Sequence, residues 1–307
     1  MVPRRKFNQT LLVLSAVELL SNSSWAQSHH QDLLFKKIPS SGQLIPAIGM
    51  GTWITFDIDQ PTNQLENPLN ILKAFFKAGG QMIDSSPMYG HAQKVLGQIL
   101  PQLNQSSQLF SATKVWTIGN DNGIKQMELS RKLWKIESFD LMYVHNMLDW
   151  KIHLPVLNKM KDQGQLKYTG ITTPHGRRHS ELITMMKNNP IDFIQVSYNM
   201  YDREIEKEIL PLARDLGIAV VINRPFQTGG LFSRMGDKSL PQWAEDIQCQ
   251  TWAQFFLKFI ISHPSVSCAI PATSQISHMQ ENMFALKGKM PDQHMRHEMI
   301  KYAFNQT

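Results

Sequence analysis

The sequence predicts a (β/α)8 barrel, and three observations support this fold class. From about residue 35 onward, short apolar or β-branched runs alternate with longer stretches whose apolar residues recur at helical spacing. Eight of these short runs follow one another, which is the number of strands in such a barrel. The chain has 307 residues, and the part from 35 to 307 has the length of one barrel domain. We therefore expect one domain over residues 35–307.

The elements follow in order along the chain. The candidate strands are residues 46–52, 82–86, 109–115, 139–145, 167–172, 192–197, 219–223 and 267–271, and helical spacing is clearest over 69–77, 126–135 and 205–216. Residues 227–247 predict a long loop, and residues 290–300 predict a final surface helix. A doubly wound sheet is the alternative fold. It lacks support because Gly49 and Gly51 are followed by Trp53, with no third glycine to open a nucleotide-binding helix.

Composition and charge exclude several functional classes. Hydrophobic residues make up 42% and charged residues 18%, which is typical of a folded globular chain. Lys and Arg number 31 against 25 for Asp and Glu, but they form no dense run interleaved with aromatic residues, so we expect no nucleic-acid partner. The two cysteines, Cys249 and Cys268, are too few for a zinc site, and we expect no metal. We interpret them as buried thiols, and one bridge between them is the alternative.

The first 26 residues have the order of a bacterial secretory signal. A basic segment containing Arg4 and Arg5 precedes an apolar run over 11–20, and small residues follow up to Ala26. The arginine pair resembles a twin-arginine signal. A ten-residue helix rises only about 15 Å, so we expect no stable membrane insertion. We therefore predict a signal peptide over residues 1–26 and a periplasmic protein. A cytoplasmic protein with an ordinary basic N-terminus is the alternative.

Polar residues stand at the carboxyl ends of three consecutive predicted strands. Asp84 and Lys114 are 30 residues apart, and Lys114 and His145 are 31 apart, which is about one β/α unit each. We therefore expect their side chains to converge, with Tyr89 just beyond Asp84. A carboxylate, an ammonium, a phenol and a neutral imidazole together make an acid and an oxyanion pocket for carbonyl reduction by a hydride donor. Each residue taken alone also has a structural explanation. Asp84 could cap a helix, Lys114 could lie at the barrel rim, His145 could be a core histidine, and Tyr89 could simply pack.

These segments resemble the aldo-keto reductase superfamily from residue 45 to residue 282. The similar stretches are GMGTW (49–53), IDSSPMYG (83–90), TKVW (113–116) and DLMYVHN (140–146). The resemblance implies that Tyr89 donates a proton, that Lys114 lowers the Tyr89 pKa and pairs with Asp84, and that His145 positions the carbonyl. Hydride would come directly from a nicotinamide cofactor. Trp53 and Trp116 match aromatic positions that line the substrate pocket of the family, and ordinary rim packing is the alternative.

The same resemblance implies a cofactor groove along the later strands. The implied cofactor-binding residues are Gly51, Thr52, Thr172, Gln195, Arg224, Pro225, Phe226, Thr273, His278, Glu281 and Asn282. The sequence departs from the family pattern at Asn223, where many members stack an aromatic ring on the nicotinamide. It departs again at Ala272 and His278, where NADP-preferring members commonly carry Lys and Arg. We expect NADP(H) rather than NAD(H), following the habit of the family.

Other functions remain open at this stage. A Schiff-base lyase would use Lys114 as its nucleophile and needs a lysine with a lowered pKa. A redox sensor or partner subunit that binds a nicotinamide nucleotide with little turnover would suit a compartment that does not regenerate NAD(P)H. The resemblance implies a monomer acting on a small carbonyl or alcohol.

Overall fold

The sheet of this protein is an eight-stranded parallel barrel, seen here in a computed structural model that describes residues 32–59, 64–103, 108–173 and 175–304. Its strands lie side by side in chain order: β3 (Met50–Gly51), β4 (Met82–Asp84), β5 (Phe110–Val115), β6 (Phe139–Val144), β7 (Leu166–Thr172), β8 (Phe193–Ser197), β9 (Ala219–Asn223) and β10 (Cys268–Ala269). The ring closes where the amide of Gly49 donates to the carbonyl of Ala269 at 2.9 Å. The predicted (β/α)8 fold is confirmed.

Helices cover the outside of the barrel. They are α1 (Glu66–Lys77), α2 (Ala92–Ile99), α3 (Asn120–Trp134), α4 (Trp150–Asp162), α5 (His179–Asn188), α6 (Ile209–Asp215), α7 (Gly230–Met235), α8 (Trp252–Ile261), α9 (Ile276–Phe284) and α10 (Gln293–Phe304). The prediction of a long loop over 227–247 was wrong, because this stretch contains α7 and two 3-10 turns. Leu231 and Met235 lie one helical turn apart and are both buried, so they anchor α7 to the core.

A hairpin that the sequence analysis did not predict precedes the barrel. Strands β1 (Phe35–Lys37) and β2 (Leu44–Pro46) pair antiparallel. Ile38 and Ile45, at the turn side of this hairpin, belong to the core cluster inside the barrel. The predicted first strand over 46–52 is therefore divided, because Pro46 pairs in the hairpin and only Met50–Gly51 pairs in the barrel sheet.

Alternation along the strands decides which polar side chains enter the barrel. In β5, Phe110 and Ala112 belong to the inner core, whereas Val115 packs in the cluster beneath the helices. Successive side chains of a strand point to opposite faces, so Lys114 shares the inner face with Phe110 and Ala112. By the same alternation, three further polar residues at the carboxyl ends of their strands point into the barrel: Asp84, Gln195 and Asn223.

Three other sequence-based expectations concern the N-terminal segment, membrane insertion and the cysteines. The predicted signal segment, residues 1–26, lies outside the described residues. Among the helices that the structure describes, none is long and apolar enough to cross a membrane. Cys249 and Cys268 are both free and buried, as expected, so the alternative of a bridge between them is excluded.

Candidate active site

Asp84 and Lys114 form a fully buried ion pair at the carboxyl ends of β4 and β5. The Lys114 Nζ lies 2.5 Å from Oδ1 of Asp84 and also donates to the main-chain carbonyl of Ser85 at 2.8 Å. Burial raises the pKa of Asp84, and the neighbouring Lys114 ammonium opposes that rise. Burial likewise lowers the pKa of Lys114, against the pull of the Asp84 carboxylate. Each partner thus holds the other charged in a place where neither would stay charged alone.

The second oxygen of Asp84 has its own partner. The side-chain nitrogen of Gln195, on β8, donates to Asp84 Oδ2 at 2.9 Å, and both side chains are almost completely buried. The hydroxyl of Thr52 donates to the main-chain carbonyl of Asp84 at 3.0 Å. Three residues therefore hold Asp84 in place: Thr52, Lys114 and Gln195. Gln195 lies 111 residues away in the sequence and on a strand that does not pair with β4.

Tyr89 lies at the wall of a cavity beside this pair. Its ring centroid is 4.9 Å from the Lys114 ammonium and 5.8 Å from the ring of His145, which it meets edge to face. Burial and the negative charge of Asp84 raise the pKa of Tyr89 well above its ordinary value. Lys114 was expected to lower this pKa, but the net shift is upward because burial and the Asp84 charge dominate it.

His145 begins a single 3-10 turn directly after β6 and is buried. Its Nδ1 lies 2.8 Å from the hydroxyl of Ser86. Burial, followed by the positive charges of Lys114 and His175, lowers the pKa of His145 well below its ordinary value. The imidazole is therefore neutral at pH 7, as the sequence analysis expected.

These four residues surround one end of a cavity of about 340 Å³. Asp84, Tyr89 and His145 line it directly, together with Gln195, whereas Lys114 lies behind Asp84 and does not reach the surface. Most of the remaining wall is apolar. The sequence analysis missed several lining residues: Ile54, Met88, Asn146, Thr173, His175 and Thr228.

Exposed apolar side chains form a rim around this cavity. Trp53 lines the cavity and is 39% exposed. Trp116 is equally exposed but does not line the cavity itself, and its ring lies 6.4 Å from that of His145, which does. Ile54 is 61% exposed and adopts a positive φ of 65°, a conformation that a β-branched residue rarely takes. Met88 completes the rim on the side of Tyr89. We refer to Trp53, Ile54, Met88 and Trp116 below as the apolar rim.

The predicted cofactor residues near the strand ends divide into two groups. Gly51, Thr52, Gln195, Arg224, Pro225 and Phe226 line the cavity, whereas Thr172 does not. The Thr172 hydroxyl instead accepts a hydrogen bond from the amide of Asn146 at 2.8 Å. The next residue, Thr173, does line the cavity, and its buried hydroxyl has no hydrogen-bond partner among the described residues. Thr173, rather than Thr172, thus offers a free hydroxyl there.

The segment after β9 forms the opposite wall. Arg224 adopts a φ of 51° and makes no ion pair within the described part of the chain. Its alternative role as the partner of an acid is therefore unsupported. Phe226 packs against Phe232 of α7 at a centroid distance of 5.0 Å. Asn223 also faces the cavity, and its side-chain oxygen accepts from the hydroxyl of Ser197 at 2.8 Å.

The four residues predicted for the adenosine end lie outside the cavity. Thr273 precedes α9, and its hydroxyl accepts from the amide of Gln275 at 3.0 Å. His278 is exposed in the first turn of α9, Glu281 is half-buried, and Asn282 is buried. Between residues 271 and 285 the sequence contains no Lys or Arg. This edge of the site therefore carries no permanent positive charge of its own.

The structure offers no alternative metal chemistry within its described residues. No group of three or more His, Cys, Asp or Glu side chains is arranged there to hold a metal ion. Two acids of the loop after β3 instead flank His91, whose Nδ1 lies 3.0 Å from Asp57 and whose Nε2 lies 3.4 Å from Asp59.

Comparisons with known proteins agree with this architecture. The model of the Aldo/keto reductase family matches residues 47–299. Methylglyoxal reductase YeaE of Escherichia coli strain K12 is 27% identical over 258 residues, covering 82% of this chain and 89% of that protein. A Klebsiella pneumoniae aldo-keto reductase solved in complex with NADPH superposes with a TM-score of 0.72 at 21% identity, covering 88% of this chain and 96% of its own. Another from that organism, solved with NADP and acetate, gives 0.70 at 22% identity, covering 89% and 95%.

Proposed function

The chain belongs to the aldo/keto reductase family and is an oxidoreductase, and from this premise we propose that it reduces aldehyde or ketone carbonyls to alcohols with NADPH. The observation that carries the proposal is the convergence of Asp84, Tyr89, Lys114 and His145 at one end of a single apolar cavity. A methylglyoxal reductase among its relatives and structural neighbours solved with NADPH and NADP support the same chemistry.

The residues present fit a nicotinamide nucleotide. Thr173 presents a buried hydroxyl without a partner, and Gln195 faces the cavity with its side-chain oxygen uncommitted. Gly51 lines the same wall, where a Cβ would come within 3.0 Å of the Ile270 carbonyl. Arg224 is available for a phosphate because it has no acidic partner among the described residues. We assign Thr173 and Gln195 to the carboxamide and Arg224 to the phosphates.

Proton transfer is the task of Tyr89. When bound, NADPH supplies the hydride that the carbonyl carbon accepts. The Tyr89 phenol donates its proton to the carbonyl oxygen, and its raised pKa keeps that proton in place until the donation occurs. The Lys114 ammonium, 4.9 Å from the Tyr89 ring, stabilises the phenolate that remains. Asp84 keeps Lys114 charged and in position.

His145 orients the substrate. A neutral imidazole has one ring nitrogen that donates and one that accepts. We assign the Ser86 hydroxyl as donor to Nδ1, which leaves the hydrogen on Nε2, the nitrogen that addresses the carbonyl oxygen. The apolar rim then holds the rest of the molecule. We therefore propose uncharged, apolar or aromatic carbonyl compounds as the substrate class.

A lyase that uses Lys114 as nucleophile fits the geometry poorly. The Lys114 Nζ donates to Asp84 and to the Ser85 carbonyl, and the side chain is completely buried behind the cavity wall. A Schiff base requires a neutral amine that reaches the substrate. The family match adds no support for a lyase.

The decisive experiment combines binding and turnover on one preparation that lacks residues 1–26. NADPH and NADH are titrated by fluorescence, and reduction of an aromatic aldehyde is followed in the wild type and in Tyr89→Phe. We expect saturable binding in both proteins, and a kcat lower by roughly 10² to 10⁴ in Tyr89→Phe because the general acid is lost. Absence of nucleotide binding would overturn the proposal. Binding without turnover in the wild type would favour the redox sensor.

Export and assembly complete the proposal. We propose that residues 1–26 direct the folded protein to the periplasm through the Arg4–Arg5 pair. Cell fractionation of the full chain, compared with a variant in which both arginines are lysine, tests this. Retention of the variant in the cytoplasm supports export, and equal distribution contradicts it.

We also propose a monomer, because one chain supplies all four central residues, and light scattering will measure its mass.

A further inference from the structure

The ion pair at the centre of the site leaves one oxygen of Asp84 unused by Lys114. That oxygen, Oδ2, is buried, and an ionised carboxylate oxygen in such a place needs a donor. The donor is the Gln195 amide nitrogen at 2.9 Å. Because a carboxylate only accepts hydrogen bonds, the Gln195 atom that faces it has to be the nitrogen, and the amide orientation is fixed.

We propose that Gln195 is a positioning residue for the Asp84–Lys114 pair, and that it thereby couples the nicotinamide subsite to the proton-donating side of the site. The inference rests on the proposed function, since the pair acts on substrate only through Tyr89. Gln195 holds Asp84 on the side opposite Lys114, so the carboxylate stays ionised and directed toward the ammonium.

This orientation also fixes what Gln195 offers to the cofactor. Its nitrogen is committed to Asp84, so its oxygen is the atom that remains for a ligand in the cavity. The nicotinamide carboxamide therefore has to present its NH₂ group to Gln195 and its oxygen to a donor such as the Thr173 hydroxyl.

The titratable groups that face Asp84 come from several elements. They are Lys114 of β5, Tyr89 beyond β4, Tyr143 of β6 and Cys268 of β10. Burial keeps the last three protonated, so Lys114 is the charged neighbour and Gln195 is the neutral donor. Tyr143 also contacts this group, because its ring lies 5.9 Å from the Lys114 ammonium and its hydroxyl faces the Gln195 side chain.

The test replaces Gln195 with methionine, which has similar length and no amide, and uses a readout that needs no cofactor. Asp84 has a raised pKa in the folded protein, so the stability it contributes is present at low pH and is lost as pH rises through that pKa. Removing the Gln195 donor raises this pKa further. We expect the apo Gln195→Met protein to melt about 2 to 4 °C below wild type at neutral pH, with the deficit shrinking as the pH is lowered and Asp84 becomes protonated.

Activity supplies the second readout, at saturating NADPH. In Gln195→Met we expect kcat to fall and the acidic limb of its pH profile to move up by about one pH unit. Thr173→Ala is the matched control for the cofactor subsite, and there we expect a higher KM for NADPH with the profile unmoved.

A second variant keeps the proposal testable if Gln195→Met does not fold. Gln195→Glu preserves the shape, donates to Asp84 when protonated and repels it when ionised. We expect its melting temperature to approach wild type at low pH and to fall away as pH rises. The proposal is overturned if both variants change only the KM for NADPH while melting follows the wild-type pH dependence. Absence of turnover in the wild type would instead contradict the proposed function, and the melting result would still decide the role of Gln195.

Discussion

The hydroxyl of Ser86 lies 2.8 Å from Nδ1 of His145, and this contact leaves Nε2 as the ring nitrogen that Ser86 does not engage. Ser86 lies two residues beyond β4 and His145 directly follows β6, so the contact crosses the barrel end above β5. The same hydroxyl oxygen accepts from the amide of Met88 at 3.2 Å, which holds the serine in one rotamer. The histidine is thereby oriented by the segment that carries Tyr89.

Removal of this hydroxyl should impair catalysis without unfolding the protein. In Ser86→Ala, His145 loses the hydrogen-bond partner of Nδ1 that orients its ring, so we expect kcat/KM for an aldehyde to fall about tenfold. The neighbouring Ser85→Ala is the matched control, because the Ser85 side-chain oxygen is buried without a hydrogen-bond partner in the described region. We expect that variant to keep wild-type kinetics. Equal losses in both variants would refute a specific role for Ser86.

The pH profile of reduction should be flat through the neutral range. Burial lowers the pKa of His145, so the imidazole stays neutral well below pH ~6.5. Burial and the Asp84 charge raise the pKa of Tyr89, so the phenol remains a proton donor in mildly alkaline solution. We therefore expect kcat for reduction at saturating NADPH to vary less than about twofold between pH ~6.5 and ~9. A steep alkaline fall below pH 9 would show that Tyr89 ionises early and contradict the assignment.

The sequence predicted the barrel and the convergence of the four central residues because both follow from local rules. Strand alternation and equal spacing determine which side chains point inward and at what level. Contacts between distant segments were not predictable in this way. The Gln195–Asp84 hydrogen bond depends on the register of strands that are not neighbours in the sheet. The hairpin β1–β2 was not predicted because each of its strands has only three residues, which is too short for an alternating hydrophobic pattern to be recognised.

Thr172 and Thr173 are a second case in which the sequence pattern did not determine the contacts of a side chain. A hydroxyl at residue 172 or 173 satisfies the sequence pattern equally, and only the turn after β7 decides which one is free. Thr172 is used by the Asn146 amide, and Thr173 faces the cavity. The backbone conformation of Ile54 was not predictable from the sequence either, since nothing around this residue indicates a positive φ at a β-branched side chain.

Cofactor preference should be modest in the wild type and adjustable at one position. The 271–285 segment carries no Lys or Arg, and His278 is exposed in the first turn of α9. A 2′-phosphate is bound best by a permanent, planar cation. In His278→Arg we expect the Kd for NADPH to fall about five- to tenfold while the Kd for NADH changes less than twofold. Fluorescence titration measures both, and His278→Gln is the control without charge.

An equal gain for NADH and NADPH in His278→Arg would mean that the new guanidinium contacts a feature common to both nucleotides. An unchanged Kd for NADPH would place the 2′-phosphate elsewhere. In that case Arg224, the cavity arginine without an acidic partner among the described residues, becomes the position to vary.

Ile54 combines backbone strain with an exposed apolar side chain, and the two effects are separable by experiment. Its φ of 65° is unfavourable for a β-branched residue, and its side chain is 61% exposed at the cavity rim. Ile54→Gly removes the strain, which is worth about 1–3 kcal/mol. Glycine also makes the unfolded chain more flexible, which disfavours folding by roughly 0.5–1 kcal/mol. We therefore expect the variant to melt at or above the wild-type temperature, whereas KM for an aromatic aldehyde rises several-fold.

Ile152 provides the matched comparison, because it is also an exposed isoleucine, at 44%, but lies in the regular helix α4. Ile152→Gly places glycine in the first turn of a helix and should lower stability by about 0.5–1 kcal/mol without changing KM. Opposite shifts in melting temperature for the two substitutions would locate the strain at Ile54. If Ile54→Gly destabilises the protein as much as Ile152→Gly does, residue 54 is not strained. If KM for the aromatic aldehyde also stays at its wild-type value, the apolar rim does not select the substrate.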